Sequence, residues 1–424
     1  MPWLSPTLSR PATRQGPPAA LRPPGAVLAL AAGVAVLALV YWVGGVAVGT
    51  DSSVYRAGAL AMWRGEPLYG PLPEATGGLL FTYPPVAALL FGPFAVLPGP
   101  LVWGLLGVFS LLALGTVVRV ALGPAGHRLR WWGWAVVVGA GLAAEPVWRT
   151  LGFGQVNLVL LALVVVDVLV LRGSRGAGLL TGLAAAVKLT PLVFVGHLWL
   201  TGRRADAGRA LAAFGLCHAV GGVLLPGDSL RYWTVVVLDP SRPGDNAYWG
   251  NQSLNGLVHR LAGGADWALV LSGALGVGVL AVGALVVSGR WRAAAPLDPL
   301  AALLVTAGCG LLVSPVSWTH HWVWVVPLGC WLARPLLARP LLAAAPVARR
   351  WPPVLALAAL GVVFTGWCWW LVPGGGHAEL AWTPLESVVG NSYALAGLVG
   401  LAAVLSLVRR GRAADRRCEV AAAR

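Results

Sequence analysis

The stretch AVLALAAGVAVLALVYWVGGVAV, from Ala26 to Val48, holds no charged side chain, and its reading decides the fold. A helix on the surface of a soluble domain shows one apolar stripe and one polar face. Here apolar or small residues surround the whole helix, and the run exceeds the roughly 20 residues needed to cross about 30 Å of hydrocarbon. It reads as a first transmembrane helix. The preceding residues are rich in proline and carry Arg10, Arg14 and Arg22 with no acid, which places the N-terminus on the cytoplasmic side. A cleaved signal is the competing reading; the apolar run is too long for its core, and no small-residue cleavage site follows.

The rest of the chain has the same character. Of 424 residues, 58% are hydrophobic and 11% charged, against roughly 25% charged in soluble domains, and the mean hydropathy is +0.77. The 22 tryptophans suit the two interfaces of a bilayer. Thirty basic and 15 acidic residues give a net charge of +15, which would suggest a nucleic-acid partner if the basic residues formed a stripe. They instead cluster between apolar stretches, the positive-inside pattern, so membrane lipids are expected and nucleic acid is not. The one lysine, Lys188, stands out among arginines. Cys217, Cys309, Cys330, Cys368 and Cys418 have neither metal-ligand nor paired spacing, so no zinc site or disulfide framework is implied.

Further apolar stretches cover Leu101 to Leu122, Trp131 to Ala144, Val156 to Leu171, Gly176 to Leu200, Ala207 to Leu225, Trp267 to Ser288, Leu300 to Val313, His321 to Leu332, Val354 to Val372 and Val388 to Val408, with Leu79 to Leu97 as a proline-interrupted extra. The expectation is an all-α polytopic membrane protein with about 10–13 transmembrane or re-entrant helices. It comprises a disordered basic tail over 1–25, one transmembrane domain over 26–408 and a basic cytoplasmic tail over 409–424. Arg172, Arg175, Arg203, Arg204, Arg209, Arg290, Arg292, Arg334 and Arg339 read as cytoplasmic, whereas the segments holding most acids, such as Asp51 to Gly78 and Gly227 to Asp266, belong outside. Gly176 to Leu200 then starts and ends on one face, so the chain must turn back at Lys188-Leu189-Thr190-Pro191. If Arg128 and Arg130 are cytoplasmic, one of the two stretches between Leu79 and Leu122 fails to cross. Both termini are expected on the cytoplasmic side.

Several polar groups sit where a lipid-facing reaction needs them. Asp51 follows the first helix directly, at the outer membrane boundary; a carboxylate there suits a general base acting on a lipid-linked substrate, and equally an N-cap for a short interfacial helix. Lys188 is an ammonium at the turn of a broken intramembrane segment, suited to a phosphate, with a snorkelling lysine as the alternative. In Ser314-Pro315-Val316-Ser317-Trp318-Thr319-His320-His321-Trp322, His320, His321 and Trp318 suit a phosphate or sugar, or simply an interfacial helix end. No third ligand stands at metal spacing, and no cofactor is implied. Of the two histidines, His320 is expected to face the site, because it sits nearer the outer face. Asn251 and Gln252, and Gln155 and Asn157, offer amides to sugar hydroxyls or cap helices. Tyr83, in Phe81-Thr82-Tyr83-Pro84-Pro85, is a helix start or the aromatic lip of a groove.

This ordered set resembles glycosyltransferase family 87, the polyprenol-phosphate-mannose-dependent alpha-1,2-mannosyltransferases of actinobacteria. The motifs that carry the resemblance are Asp51 with Tyr55, Tyr83-Pro84-Pro85, Gly154-Gln155-Val156-Asn157, Lys188-Leu189-Thr190-Pro191, Gly250-Asn251-Gln252-Ser253 and Pro315-Val316-Ser317-Trp318-Thr319-His320-His321. The resemblance implies a GT-C fold, a polyprenyl-phosphate-mannose donor entering from the bilayer, a glycolipid or glycan acceptor from the extracytoplasmic side, and inversion at the anomeric carbon. Carried onto this chain, it makes Asp51 the base, Lys188 and one of His320 or His321 the holders of the departing phosphate, and Tyr55, Tyr83, Gln155, Asn157, Asn251, Gln252 and Trp318 substrate-binding residues. A polyprenyl-lipid or glycolipid flippase, and a GT-C arabinosyltransferase, are the alternatives. A flippase should show inverted halves, which the sequence lacks.

Overall fold

The computed structural model describes residues 25–45, 48–239, 241–289, 297–337 and 351–422. The N-terminal tail expected over 1–25 lies outside the described residues except for Gly25. The described residues contain α1 (Gly25–Val43), α2 (Thr50–Arg64), α3 (Pro85–Phe91), α4 (Gly99–Leu122), α5 (Trp131–Ala143), α6 (Glu145–Phe153), α7 (Asn157–Val165), α8 (Leu179–Val187) and α9 (Val193–Leu200). There follow α10 (Arg204–Leu224), α11 (Pro226–Thr234), α12 (Leu254–Leu261), α13 (Trp267–Val287), α14 (Pro299–Val313), α15 (Val325–Leu337), α16 (Trp351–Phe364), α17 (Pro384–Gly390) and α18 (Ser392–Ala422). The C-terminal tail expected from residue 409 continues α18 as helix.

The protein is all-α, as expected, and several of its apolar stretches are broken. Glu145–Phe153 and Asn157–Val170 meet at a bend of 120°, and Pro384–Gly390 meets Ser392–Val408 at 75°. Among the described residues, three unbroken helices, within Gly99–Arg128, Arg204–Leu224 and Trp267–Val287, are long and apolar enough to cross a membrane on their own. The two stretches between Leu79 and Leu122 differ in length. α3 and the 3-10 turn that extends it to Val96 reach only about 20 Å, whereas α4, with 24 residues, reaches about 36 Å at 1.5 Å per residue. α4 is therefore the member of the pair that can cross.

α4 is the spine of the core and packs along α1. A Cβ at Gly104 would stand 2.1 Å from the Ala38 Cβ, so only glycine lets the two backbones approach this closely. Without a hydrophobic force between helices in lipid, such close packing supplies the dispersion contacts that hold them.

Buried carboxylates organise the arginine-rich end. Asp167 on the last turn after α7 accepts the backbone N–H groups of Gly178 at 2.7 Å and Thr181 at 2.8 Å, placing negative charge at the positive end of α8. Arg203 donates to the Val168 carbonyl at 2.7 Å and Arg209 to the Ala177 carbonyl at 2.7 Å, and both pair with Asp206. Both ends of the α8–α9 hairpin therefore meet at one end of the bundle, and the chain turns back between them at Lys188. Arg334 donates to the Ala121 carbonyl at 2.6 Å and pairs with Asp298 at 3.1 Å, adding α4, α14 and α15 to this end.

Candidate active site

The opposite ends of α7 and α14 converge with α2 on a cavity. α2 lies beyond α1 and starts at Thr50, with Gly49 as its N-cap at φ 78°. Asp51 thus sits inside the first turn and does not cap the helix. Its Oδ1 accepts a hydrogen bond from Gln155 Nε2 at 2.9 Å. Gln155 stands in the bend between α6 and α7, where its Oε1 accepts the Tyr55 hydroxyl and the Val156 N–H, the latter at 2.9 Å. Those two donors fix the orientation of the amide and turn its NH₂ toward Asp51. The Tyr83 hydroxyl lies 3.1 Å from Gln155 Nε2 and 3.0 Å from the Tyr55 hydroxyl, which completes the network. Burial raises the Asp51 carboxyl from the ordinary 3.8 to about 6, and the charge of Lys188 opposes part of that rise.

Lys188 stands at the break after α8, where extended backbone (φ −146°, ψ 129°) interrupts the helix. Its Nζ donates to Asn157 Oδ1 at 3.2 Å and reaches His321 Nε2 at 3.0 Å. An ammonium only donates, so His321 accepts at Nε2 and carries its proton on Nδ1. The Asn157 amide in turn donates to the His320 carbonyl at 2.9 Å, as does the Thr150 hydroxyl at 3.2 Å. The residue that meets Lys188 is His321, whereas the sequence favoured His320. The His320 ring packs against Phe153 at 5.3 Å and against His321 at 4.9 Å between centroids, and its Nε2 is buried with no hydrogen-bond partner among the described residues. The two histidines lie on a 3-10 turn, where adjacent residues point apart by about 120°, which is why one meets the lysine and the other packs against Phe153.

A cavity of about 820 Å³ has Asp51, Tyr83, Gln155, Lys188, His320, His321 and Trp318 in its wall. An adjoining crevice shares Lys188, Thr190, Ser314 and His321 with it, and continues between α7, α9 and α14 along Leu160, Leu161, Val164, Phe194 and Leu311. Asn157 lines the crevice. Lys188 and His321 thus stand where a wide chamber meets a narrow crevice.

Three expected substrate-binding residues lie behind the walls. Tyr55 is fully buried beneath Gln155. Asn251 and Gln252 are fully buried as well, and their amides serve the main chain: Asn251 donates to Pro315 and accepts from Ser317, while Gln252 donates to Trp249 and Gly390. They hold the 314–319 segment and the start of α18 in place. Sequence reasoning missed Arg149, Asp245, Tyr248 and His377, which all line the cavity. Arg149 was detectable, since it stands four residues after Glu145 in the spacing of a helical ion pair; the pair is formed at 3.2 Å, and Arg149 also lies over Trp249 at 5.2 Å. Asp245 and Tyr248 share one loop and His377 comes from another far along the chain, and no local pattern marks them.

Residues 81–315 match glycosyltransferase family 87. A Mycobacterium tuberculosis protein described as a polyprenol-phosphate-mannose-dependent alpha-(1-2)-phosphatidylinositol mannoside mannosyltransferase is 36% identical over 336 residues, covering 72% of this chain and 76% of that protein. A protein of the same description from Mycolicibacterium smegmatis is 34% identical over 390 residues, covering 84% of each. Among solved structures, that of ArnT from Cupriavidus metallidurans bound to undecaprenyl phosphate overlaps 92% of this chain and 78% of its own, with a TM-score of 0.38 and 17% sequence identity.

Proposed function

This chain belongs to glycosyltransferase family 87, and from that premise we propose that it is a GT-C-type enzyme transferring mannose from a polyprenyl-phosphate donor to a phosphatidylinositol mannoside-type glycolipid, with inversion. The observation that carries this reading is the single cavity in which a carboxylate, Asp51, and a paired cation, Lys188 with His321, share a wall that opens onto an apolar crevice. The donor phosphate sits against Lys188 and the Nδ1–H of His321, at the junction of the cavity with the crevice between α7, α9 and α14.

In the transfer step Asp51 takes the proton of the acceptor hydroxyl as that oxygen bonds to the anomeric carbon. The bond from that carbon to the phosphate oxygen breaks, and its electron pair leaves with the polyprenyl phosphate. Fixed positive groups stabilise the charge that gathers there, and no general acid is needed because the phosphate is already a stable anion. A carboxyl raised to about 6 is a stronger base than an ordinary aspartate and is still ionised at neutral pH. Gln155 occupies one oxygen of Asp51, leaving the other for the acceptor.

The active site faces the extracytoplasmic side of the cell membrane in this reading. α7 and α14 each run from the cavity and its crevice to the end where Arg203, Arg209 and Arg334 stand, and arginine-rich ends stay in the cytoplasm. The test is purified protein incubated with labelled polyprenyl-phosphate mannose and a phosphatidylinositol mannoside. Consumption of donor and an alpha-linked product are expected; an intact donor, or a beta-linked product, refutes the reading. A flippase would leave the donor unconsumed.

A further inference from the structure

The mouth of the cavity is built from different chemistry than its floor. A segment over 241–251 crosses it and is tied down at both ends. Arg242 donates to the carbonyls of Phe81, at 3.2 Å, and Tyr69, at 3.1 Å. At the far end Asn251 pairs with Trp318 in an antiparallel bridge, and the buried guanidinium of Arg260 holds the carbonyls of Tyr248 at 2.9 Å and Asn251 at 2.8 Å. Asp245 is thereby fixed on a rigid strap. One carboxylate oxygen accepts the Ala247 N–H at 2.9 Å, and the other meets His377 Nδ1 at 3.2 Å.

His377 approaches from the loop after α16 and is the non-glycine residue with a left-handed backbone among the described residues (φ 64°). That conformation is disfavoured for a side-chain-bearing residue, yet it turns the imidazole toward Asp245. Both side chains are exposed and line the cavity. Beside them Trp318 and Tyr248 stand edge to face at 5.9 Å.

A carboxylate held by one backbone donor, with an imidazole 3.2 Å from its other oxygen, is well suited to accept from sugar hydroxyls, and an indole presents a flat apolar surface to the CH face of a pyranose. The same carboxylate repels phosphate. The floor, with Lys188, therefore suits the anionic donor, and the mouth suits an uncharged polyol. We propose that Asp245, positioned by His377 and with Trp318 and Tyr248 as its platform, forms the subsite that holds a non-reacting sugar of the acceptor glycan. This rests on the reading of the protein as a glycosyltransferase.

The experiment measures KM for donor and for acceptor separately, using polyprenyl-phosphate mannose and a phosphatidylinositol mannoside, in the parent protein, Asp245→Ala, Asp245→Asn and His377→Gly. Glycine at 377 keeps the left-handed backbone and removes only the ring. Loss of a charge-assisted hydrogen bond predicts an acceptor KM raised about 10-fold in Asp245→Ala, less in Asp245→Asn and about 3-fold in His377→Gly, with donor KM within about 2-fold of the parent. Binding of labelled undecaprenyl phosphate checks folding, and if Asp245→Ala does not bind it the isosteric Asp245→Asn carries the test. Parent-like acceptor KM in a folded Asp245 variant, or a parallel rise in donor KM, overturns the subsite and leaves the glycosyltransferase reading intact. If the parent itself consumes no donor, that reading fails and the subsite falls with it.

Discussion

Gln155→Met tests the proposed base without touching it. Methionine keeps the length of the side chain and removes the N–H that donates to Asp51 at 2.9 Å. A hydrogen bond to a charged group is worth about 1.5–3 kcal/mol, and one pKa unit corresponds to about 1.4 kcal/mol, so the carboxyl should rise by about 1–2 units if nothing replaces the donor. Asp51 lines the open cavity, where water takes over part of that role, and the lower figure applies. The sign follows from the chemistry: the base must be ionised to accept a proton, and removing a donor to the ionised form favours the protonated one. In the parent, kcat/KM should fall about tenfold per pH unit below about 6, where the Asp51 carboxyl titrates. In Gln155→Met the same limb should lie near pH 7. The assay is transfer from labelled polyprenyl-phosphate mannose at sub-saturating donor, followed from about pH 5 to pH 8.5. The variant also strands the Val156 N–H, at about 1–3 kcal/mol, and leaves the Tyr55 hydroxyl with Tyr83 alone, so its thermal unfolding midpoint should drop. Lower stability scales the whole profile and does not move the limb. A limb unmoved in the variant, or a parent limb near pH 4, would refute the assignment of Asp51 as the base.

Asp51→Asn should bind undecaprenyl phosphate normally and turn over about 10²–10⁴-fold more slowly, the range for losing a general base; near-parent kcat returns Asp51 to a structural role. Lys188→Ala should raise donor KM the most and His321→Ala less, while His320→Ala should change it little, because His321 is the histidine that touches Lys188; equal effects in the two histidine variants would sink the phosphate assignment. Asn251→Ala removes a fully buried amide bonded to Pro315 and Ser317 and should lower unfolding stability by about 2–3 kcal/mol, a cost typical of leaving buried backbone groups unpaired. An unchanged melting profile would show that the 314–319 segment is held some other way.

What the sequence determined by itself is what depends on composition and on neighbours along the chain. Apolar runs such as Ala26 to Val48 have nowhere to go but lipid or a buried bundle, so the all-α membrane class was legible. The exceptions to those runs marked the chemistry, since a carboxylate at Asp51 and the one ammonium at Lys188 are too costly in such surroundings to be incidental. The break at Lys188 was legible too, because arginines on both sides of Gly176 to Leu200 require the chain to turn back. The tertiary structure alone decided which polar groups meet. Asn251 and Gln252 look like sugar ligands in sequence, yet they are spent on main-chain carbonyls and N–H groups, since a loop folded into the protein must satisfy its buried backbone. His320 and His321 are neighbours in sequence but diverge in space by the geometry of one turn. Asp245, Trp318 and His377 come from three distant loops whose meeting depends on the packing of the helices between them. Side-chain type is local information, whereas the coincidence of three side chains in one cavity is a property of the whole fold.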